Sequence, residues 1–328
     1  MAQVQQITVQ KQDDSIRLDR WFSRHYPQLK NGQLQRLIRG KNIRVNQMKT
    51  SADYRLKEGD IIRIPPLTVS EKDNLPRDLS KADIEFMQSL VIYKDDSVLV
   101  LNKPAGIAVQ GGSKTERHID GMLDALRFGK TEKPHLVHRL DKDTSGVLVI
   151  GRTANDAARL AECFKSRKTQ KIYWAIVAGK PKLSSGKIDA PLAKLGNVRG
   201  GEQMKVDYET GQRAQTLYRT IDSLSRKASW LELAPLTGRT HQLRVHCATM
   251  NTPIVGDMKY GGERAVSLGL ANEKKMHLHA RAIRMPHPIK GMLCVTADLP
   301  KHMKETFDFL GFDESESVNA FDYFKKDE

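Results

Sequence analysis

Residues 134–153 read P-H-L-V-H-R-L-D-K-D-T-S-G-V-L-V-I-G-R-T. Six ionisable side chains (His135, His138, Arg139, Asp141, Lys142 and Asp143) crowd together there and lead into an unbroken apolar run, V147-L148-V149-I150, between Gly146 and Gly151. A short β-branched and aliphatic run bounded by glycines predicts a buried strand. The charged cluster therefore sits on the loop entering the core, where a rigid strand edge can hold catalytic groups. A single Asp in a loop is ordinarily a turn residue bonding its own backbone, so Asp141 needs support from elsewhere in the chain.

Composition removes several alternatives. The chain has 328 residues, 39% hydrophobic and 28% charged, long enough for two domains and a sizeable core. No run approaches the roughly 18 apolar residues of a membrane span. The first residues lack an apolar h-region and carry Asp13 and Asp14, against a signal or transit peptide. Cys163, Cys247 and Cys294 are odd in number and far apart, which excludes a disulfide framework or C-x-x-C site and fits a cytoplasmic setting. A net charge of +15 implies a polyanionic partner. Nucleic acid fits better than a membrane surface, since no basic amphipathic helix with a broad apolar face is present.

Nine basic residues between Arg17 and Lys49 oppose one acid, Asp19. Leu18, Trp21 and Phe22, then Leu34, Leu37 and Ile38, recur at helical spacing around Pro27 and Gly32. Gly40 ends the second helix, and I43-R44-V45 and I61-I62-R63-I64 alternate as short strands. Residues 16–66 thus make a small module whose cations form a phosphate-binding surface, with Arg17, Arg20, Arg36, Arg39, Lys41 and Arg44 as candidate RNA contacts. Residues 67–88 are polar and read as a linker. Residues 89–311 hold a second domain, opening with a hairpin at V91-I92-Y93 and V98-L99-V100-L101. Thr153 caps a helix through about Lys165, whose end carries Lys165, Arg167, Lys168 and Lys171. Strands follow at 171–177, 214–221 and 230–235, with a mobile G-N-V-R-G-G loop at 196–201 and a helix starting at Thr240. Residues 312–328 are acid-rich and read as a frayed, solvated tail.

Two tempting motifs fail. G129-K130-T131 is no phosphate loop, because Asp124 stands where its first glycine is required. His241 and His246 are five apart where a helical metal pair prefers four, and His277 and His279 have no carboxylate or thiol partner, so no metal is expected.

H138-R139-L140-D141-x-x-T144-S145-G146 is similar to the signature of the RluA/RluC/RluD family of pseudouridine synthases. N102-K103-P104-A105-G106 with G111-G112-S113, K171-x-Y173, G238-R239-T240-H241-Q242-L243-R244-V245-H246 and L278-H279-A280 match the same family in the same order, the G-G-S version resembling its RluC branch. Residues 16–66 resemble an S4 RNA-binding domain. The resemblance implies an α+β fold, with an S4 module ahead of a long, mostly antiparallel curved sheet flanked by helices and a catalytic cleft across its middle. It implies that Asp141 is the nucleophile, that Tyr173 lies against the target uracil, and that Arg244 pairs with and orients Asp141. Arg139 would help prise the base from its helix, and His138, Leu278 and Arg239 would lie on the substrate side. The implied reaction converts uridines of large-subunit (23S) ribosomal RNA to pseudouridine, by a monomer that needs no metal or organic cofactor.

Other classes stay open on the residues alone. A glycosidase-like hydrolase needs a second carboxylate, for which Asp143 is the candidate. A non-catalytic rRNA-binding assembly factor would have no need of Asp141 or Tyr173. Within the family, RluD-type or RluA-type enzymes, the latter acting on rRNA and tRNA, are the runners-up.

Overall fold

The computed structural model describes residues 4–26, 29, 31–67, 79–111, 117–166, 168–196, 202–266, 268–269 and 271–325. Gly112 and Ser113, Arg167, the loop residues 197–201 and residues 68–78 of the expected linker lie outside them. The chain divides into two compact units, Met1–Arg77 and Asp78–Glu328.

In the first unit, β1 (Gln5–Thr8), α1 (Leu18–His25), α2 (Asn31–Arg39), β2 (Arg44–Val45), β3 (Met48–Lys49) and β4 (Ile61–Ile64) build a four-stranded sheet of order β1-β4-β2-β3 with two helices. The helical spacing of the apolar residues gives each helix one inward stripe. Leu18, Trp21, Phe22, Leu34 and Ile38 accordingly share one core with Ile43, Val45, Leu56 and Ile62. The unit begins before residue 16, because β1 pairs with β4 from Gln5 opposite Ile64 to Thr8 opposite Ile61. Asp13, 2% exposed, accepts hydrogen bonds from Trp21 Nε1 at 3.2 Å and Arg24 at 3.0 Å, and meets His25 Nε2 at 2.8 Å.

The second unit starts inside the stretch expected to be a linker. Ser80 accepts from the Asp83 N–H and caps α3 (Lys81–Ser89), which buries Met87 completely. From residue 81 on, the polar residues that read as linker belong to this helix. β5 (Val91–Lys94) and β6 (Val98–Lys103) pair as the expected hairpin, followed by β7 (His135–Leu136), β8 (Ser145–Gly151), α4 (Ala154–Lys165) and β9 (Gln170–Ala178). Then come β10 (Ser185–Asp189), β11 (Leu192–Leu195), β12 (Gln203–Val206), β13 (Gln215–Leu224) and β14 (Ala228–Pro235). The rest is α5 (Gln242–Thr249), α6 (Met258–Gly261), β15 (Leu278–Pro286), β16 (Met292–Thr296), α7 (Lys301–Leu310) and α8 (Ala320–Lys325).

One mixed sheet runs β10-β13-β14-β9-β15-β8-β6-β5, with β16 paired to β15 and β7 to β8, while β11 and β12 form a separate hairpin. All seven residues of β8 are buried, which is why its sequence is continuous rather than alternating. β8 and β15 run parallel, pairing Ser145 with His279 and Gly146 with Ala280. Gly146 holds φ +107°, and a Cβ there would run into the Ala280 carbonyl, so only glycine permits this contact.

The acid-rich end is folded, not frayed, through Lys325. Phe312 and Phe324 are 6% and 5% exposed in a core shared with Trp174, Trp230 and Phe307. Two of its acids are counterions to arginines on the sheet: Arg281 meets Glu314 at 3.0 Å and Arg284 meets Asp322 at 3.2 Å. Arg219 stacks over Tyr323 at 4.3 Å. Charge alone made this segment look solvated; its aromatic residues decide the packing.

Candidate active site

Asp141 stands on the turn that leads into β8, closed by the Thr144 N–H donating to the Asp141 carbonyl at 3.2 Å. The turn is anchored by Lys103 at the end of β6. Its ammonium, wholly buried, donates to the carbonyls of Pro104 at 2.8 Å, Ile107 at 2.9 Å and Lys142 at 3.0 Å. The Gly106 N–H donates to the same Lys142 carbonyl at 2.9 Å. Burial pulls Lys103 down to about 8 against the opposing charges of Asp143 and Asp141. Three carbonyl acceptors saturate its three hydrogens and favour the charged form. Sequence reasoning assigned Lys103 no role, although N102-K103-P104 was the available signal.

Arg244 enters from α5. The helix starts at Gln242 rather than Thr240, because His241 takes a left-handed conformation (φ 54°) as its cap. Gln242 locks the preceding loop: its carbonyl oxygen accepts from Thr237 Oγ1 at 2.7 Å and the Arg239 N–H at 3.0 Å. Its amide donates to the Gln215 carbonyl at 2.9 Å and Thr216 Oγ1 at 3.0 Å. Arg244, 8% exposed, makes a bidentate pair with Asp257, 1% exposed, at 2.8 and 2.7 Å. Its remaining nitrogen, Nη1, lies 3.7 Å from Asp141 Oδ2. The expected pairing with Asp141 is thus the looser of two, and Asp257 is the geometric partner that sequence reading missed. A bidentate fork fixes the guanidinium plane and aims its third corner at Asp141.

His241 is the other neighbour, with Nε2 3.9 Å from Asp141 Oδ2. Its Nδ1 meets the Tyr260 hydroxyl at 2.7 Å, and that oxygen also accepts from the Met204 N–H at 3.0 Å. Tyr260 can then donate its own hydrogen to Nδ1, which leaves the neutral ring with a hydrogen on Nε2, facing the carboxylate. Burial pushes His241 below the ordinary histidine range, opposed by the Asp141 charge.

Tyr173 on β9 and Leu278 on β15 line the same cavity as Asp141, as do His138, Arg139, Arg239 and Arg244. All seven residues expected in the second domain's site are therefore brought together. Burial, then the Asp141 charge, push the Tyr173 phenol above its usual range, so it rests protonated. His138 stacks on Phe164 at 4.6 Å and its Nε2 accepts the Val149 N–H at 2.9 Å. Desolvation, with Lys171 nearby, pushes it down to about 3. His138 thus braces the turn, leaving little of its ring for substrate. Arg139 is exposed, whereas Arg239 is held by donation from its Nε to the Arg213 carbonyl at 3.1 Å. Asp143 is exposed and does not line the cavity.

The histidines considered as metal ligands are occupied by protein groups. His279 meets Ser145 Oγ at 2.8 Å and the Ala297 carbonyl at 3.2 Å, and His277 meets the Lys275 carbonyl at 2.7 Å and Thr306 Oγ1 at 2.9 Å. In the first unit, Arg20, Arg36, Arg39, Lys41 and Arg44 are exposed. Arg17 donates to both Asp19 oxygens at 3.1 and 2.7 Å, with its side chain 42% exposed.

The cavity encloses about 1190 Å³, and among the described residues lining it Asp141 is the single carboxylate against seven Lys or Arg side chains. One acid inside a cationic cleft suits a polyanion on which a single carboxylate acts, and gives a hydrolase no second acid.

Fold and site together define an RNA pseudouridylate synthase, and the model of that family matches residues 97–249. The chain is 36% identical over 306 residues to the ribosomal large subunit pseudouridine synthase C of Rickettsia felis, covering 89% of this chain and 96% of that protein. It is 33% identical over 309 residues to the protein of the same name from Pasteurella multocida, covering 92% of each. Among solved structures, human RNA pseudouridylate synthase domain containing 4 superposes with TM-score 0.59 at 28% identity, covering 72% of this chain and 99% of that one. Human RNA pseudouridylate synthase domain containing 1 gives 0.53 at 26%, covering 67% and 86%. The chain belongs to the ribosomal large subunit pseudouridine synthase C family.

Proposed function

We propose that the protein converts uridines of large-subunit ribosomal RNA to pseudouridine, with Asp141 as its catalytic carboxylate. The observation that carries the reading is the meeting of Asp141, Tyr173 and Arg244 at one cationic cavity, in a chain so similar to the synthase C proteins. In the reaction the bond from the ribose C1′ to uracil N1 breaks, the detached uracil turns, and C5 bonds to C1′. The hydrogen on C5 then leaves, and a nitrogen of the ring regains one. Asp141 acts on the sugar, on a turn that Lys103 keeps from shifting. Arg244, fixed by Asp257, presents its third corner to the carboxylate and orients it. Tyr173 acts through its ring, because its raised phenol is a poor base; with Leu278 it holds the loose uracil away from water. Arg139, exposed beside the turn, supports extrusion of the base.

The first unit is proposed to be an S4-type RNA-binding domain that grips phosphates through Arg20, Arg36, Arg39, Lys41 and Arg44. Its separate core and one-sided charge support that role. The protein is proposed to work as a cytoplasmic monomer. The test is to map pseudouridines in ribosomal RNA from a strain lacking the protein. Sites that vanish, return with the wild-type gene and stay absent with Asp141→Asn establish the function. An unchanged map would overturn it.

A further inference from the structure

β9 and β14 pair from Ala178 opposite Ala228 to Tyr173 opposite Leu233, and then part. β9 nonetheless stays paired with β15 as far as Gln170 opposite Arg284, and β14 with β13 as far as Pro235 opposite Thr216. A split therefore opens inside the sheet, beginning at the tyrosine assigned to the target uracil. Its edges are Gln170, Lys171 and Ile172 on one strand and Ala234, Pro235 and Leu236 on the other, and all six line the cavity of Asp141.

The far end of the split is closed by α8. Phe321 and Phe324 line the same cavity and pack in one cluster with Ile172 and Leu236. Arg284 pins the helix, pairing with Asp322 at 3.2 Å and lying over the Phe321 ring at 4.8 Å. A ring held in this way is a stiff apolar platform, and Phe321 keeps part of its surface accessible.

Size and charge point to the occupant. At about 1190 Å³ the cavity exceeds the roughly 300–1,000 Å³ of ordinary ligand pockets, more than one flipped nucleotide requires. Three residues of strand, about 10 Å, separate Tyr173 from Gln170, which places the platform beyond the target base but within reach of its neighbour. The split offers a cation, Lys171, and no carboxylate.

We propose that the split between β9 and β14 is a second nucleobase subsite, which takes a base adjacent in the RNA strand to the target uridine and stacks it on Phe321, with the intervening phosphate at Lys171. This rests on the RNA-modification reading. Stacking on an aromatic side chain tolerates any base, so the subsite sets register and affinity rather than sequence.

The test is a cycle between protein and RNA. The RNA is a stem-loop carrying a mapped target uridine, intact or made abasic at one flanking position at a time. Phe321→Leu keeps apolar bulk but loses the ring face. On intact RNA it should weaken binding by about 5- to 150-fold, raising KM more than it lowers kcat. At one flanking position the abasic RNA should cost the wild type a similar factor, while Phe321→Leu adds no further loss. Phe321→Trp should restore binding, and its added fluorescence should be quenched by intact RNA but not by that abasic RNA. Unchanged binding by Phe321→Leu, or additive losses at every position, overturns the subsite. If Phe321→Leu does not fold, Phe321→Trp decides, and quenching that ignores the abasic position also overturns it. Because binding is read directly, loss of the pseudouridine map would fail the functional reading without being mistaken for failure of the subsite.

Discussion

Asp257→Asn separates the support of the site from its chemistry. Asp257 is fully buried and holds both remaining corners of the Arg244 guanidinium, whose side chain is 9% exposed. Removing one partner of a buried ion pair costs about 3–5 kcal/mol, because the other charge is left uncompensated. At about 2–4 °C per kcal/mol for a unit of this size, melting should fall by about 6–20 °C. Arg244 would then lean on its next carboxylate, Asp141 at 3.7 Å, and draw it off the sugar. A shift of about 1 Å is enough to cost about 100-fold in kcat. Asp141→Asn is the contrast: that side chain is 24% exposed, with the Arg244 guanidinium 3.7 Å away and the neutral His241 ring 3.9 Å away, so its stability effect should stay within about 1 kcal/mol. Calorimetry and single-turnover pseudouridine formation, run on both variants, decide. Wild-type melting for Asp257→Asn, or an equal drop for Asp141→Asn, would refute this division.

Other expectations follow from the same geometry. Asp141→Asn should abolish pseudouridine formation while RNA binding survives, and residual turnover above about one-hundredth of wild type would speak against an essential carboxylate. Tyr173→Leu should lose both binding and rate, whereas Tyr173→Phe should keep binding and most of its rate; a dead Tyr173→Phe would make the hydroxyl a proton carrier. Tyr260→Phe removes the donor to His241 Nδ1 and should lower kcat with little change in KM, measured beside its melting curve. The pH dependence of stability has a defined sign. Burial holds neutral His277 at about 4 and His279 at about 3, so the unfolded chain binds more protons between those values and about 6.5. Their contribution is complete above about 6.5 and is lost as pH falls, each approaching about 1.4 kcal/mol per pH unit, and melting curves between pH 7 and 5 that do not move would contradict it.

The sequence showed the site's actors better than their supports. Asp141, Tyr173, Arg244 and Leu278 sit in short motifs that resemble a known family, and it was that resemblance, beside the strand and helix signals, that singled them out. Asp257 gives no such sign: it is an ordinary Asp before a four-residue helix, and becomes a partner only because α5 and α6 fold side by side. Lys103 was given no role, since a buried ammonium is legible only once its three carbonyls converge. The C-terminal segment misled for the opposite reason. Its acids outnumber its bases, yet Phe312, Phe321 and Phe324 had core to meet, and the counterions lie far back in the chain at Arg281 and Arg284. Long-range pairing of charge carries no periodicity, and periodicity is what sequence reading detects.

The inequality of the two Arg244 pairings is itself informative. A bidentate contact at 2.7 and 2.8 Å to Asp141 would neutralise the carboxylate and tie up both oxygens, leaving a poor nucleophile. Given to Asp257 instead, the same contact is spent on rigidity, and Asp141 feels the cation from 3.7 Å without surrendering an oxygen to it. His241 adds a second donor direction at 3.9 Å, also outside hydrogen-bond length. The carboxylate is thus placed by the Lys103-anchored turn, while its oxygens stay free to reach the sugar. If that is the logic of the site, keeping the charge in the wrong geometry should not preserve the rate. Asp257→Glu should keep most stability, because the ion pair survives, yet lower kcat, because the longer arm pushes the guanidinium toward Asp141. An Asp257→Glu variant as active as wild type would show that the guanidinium's placement does not matter.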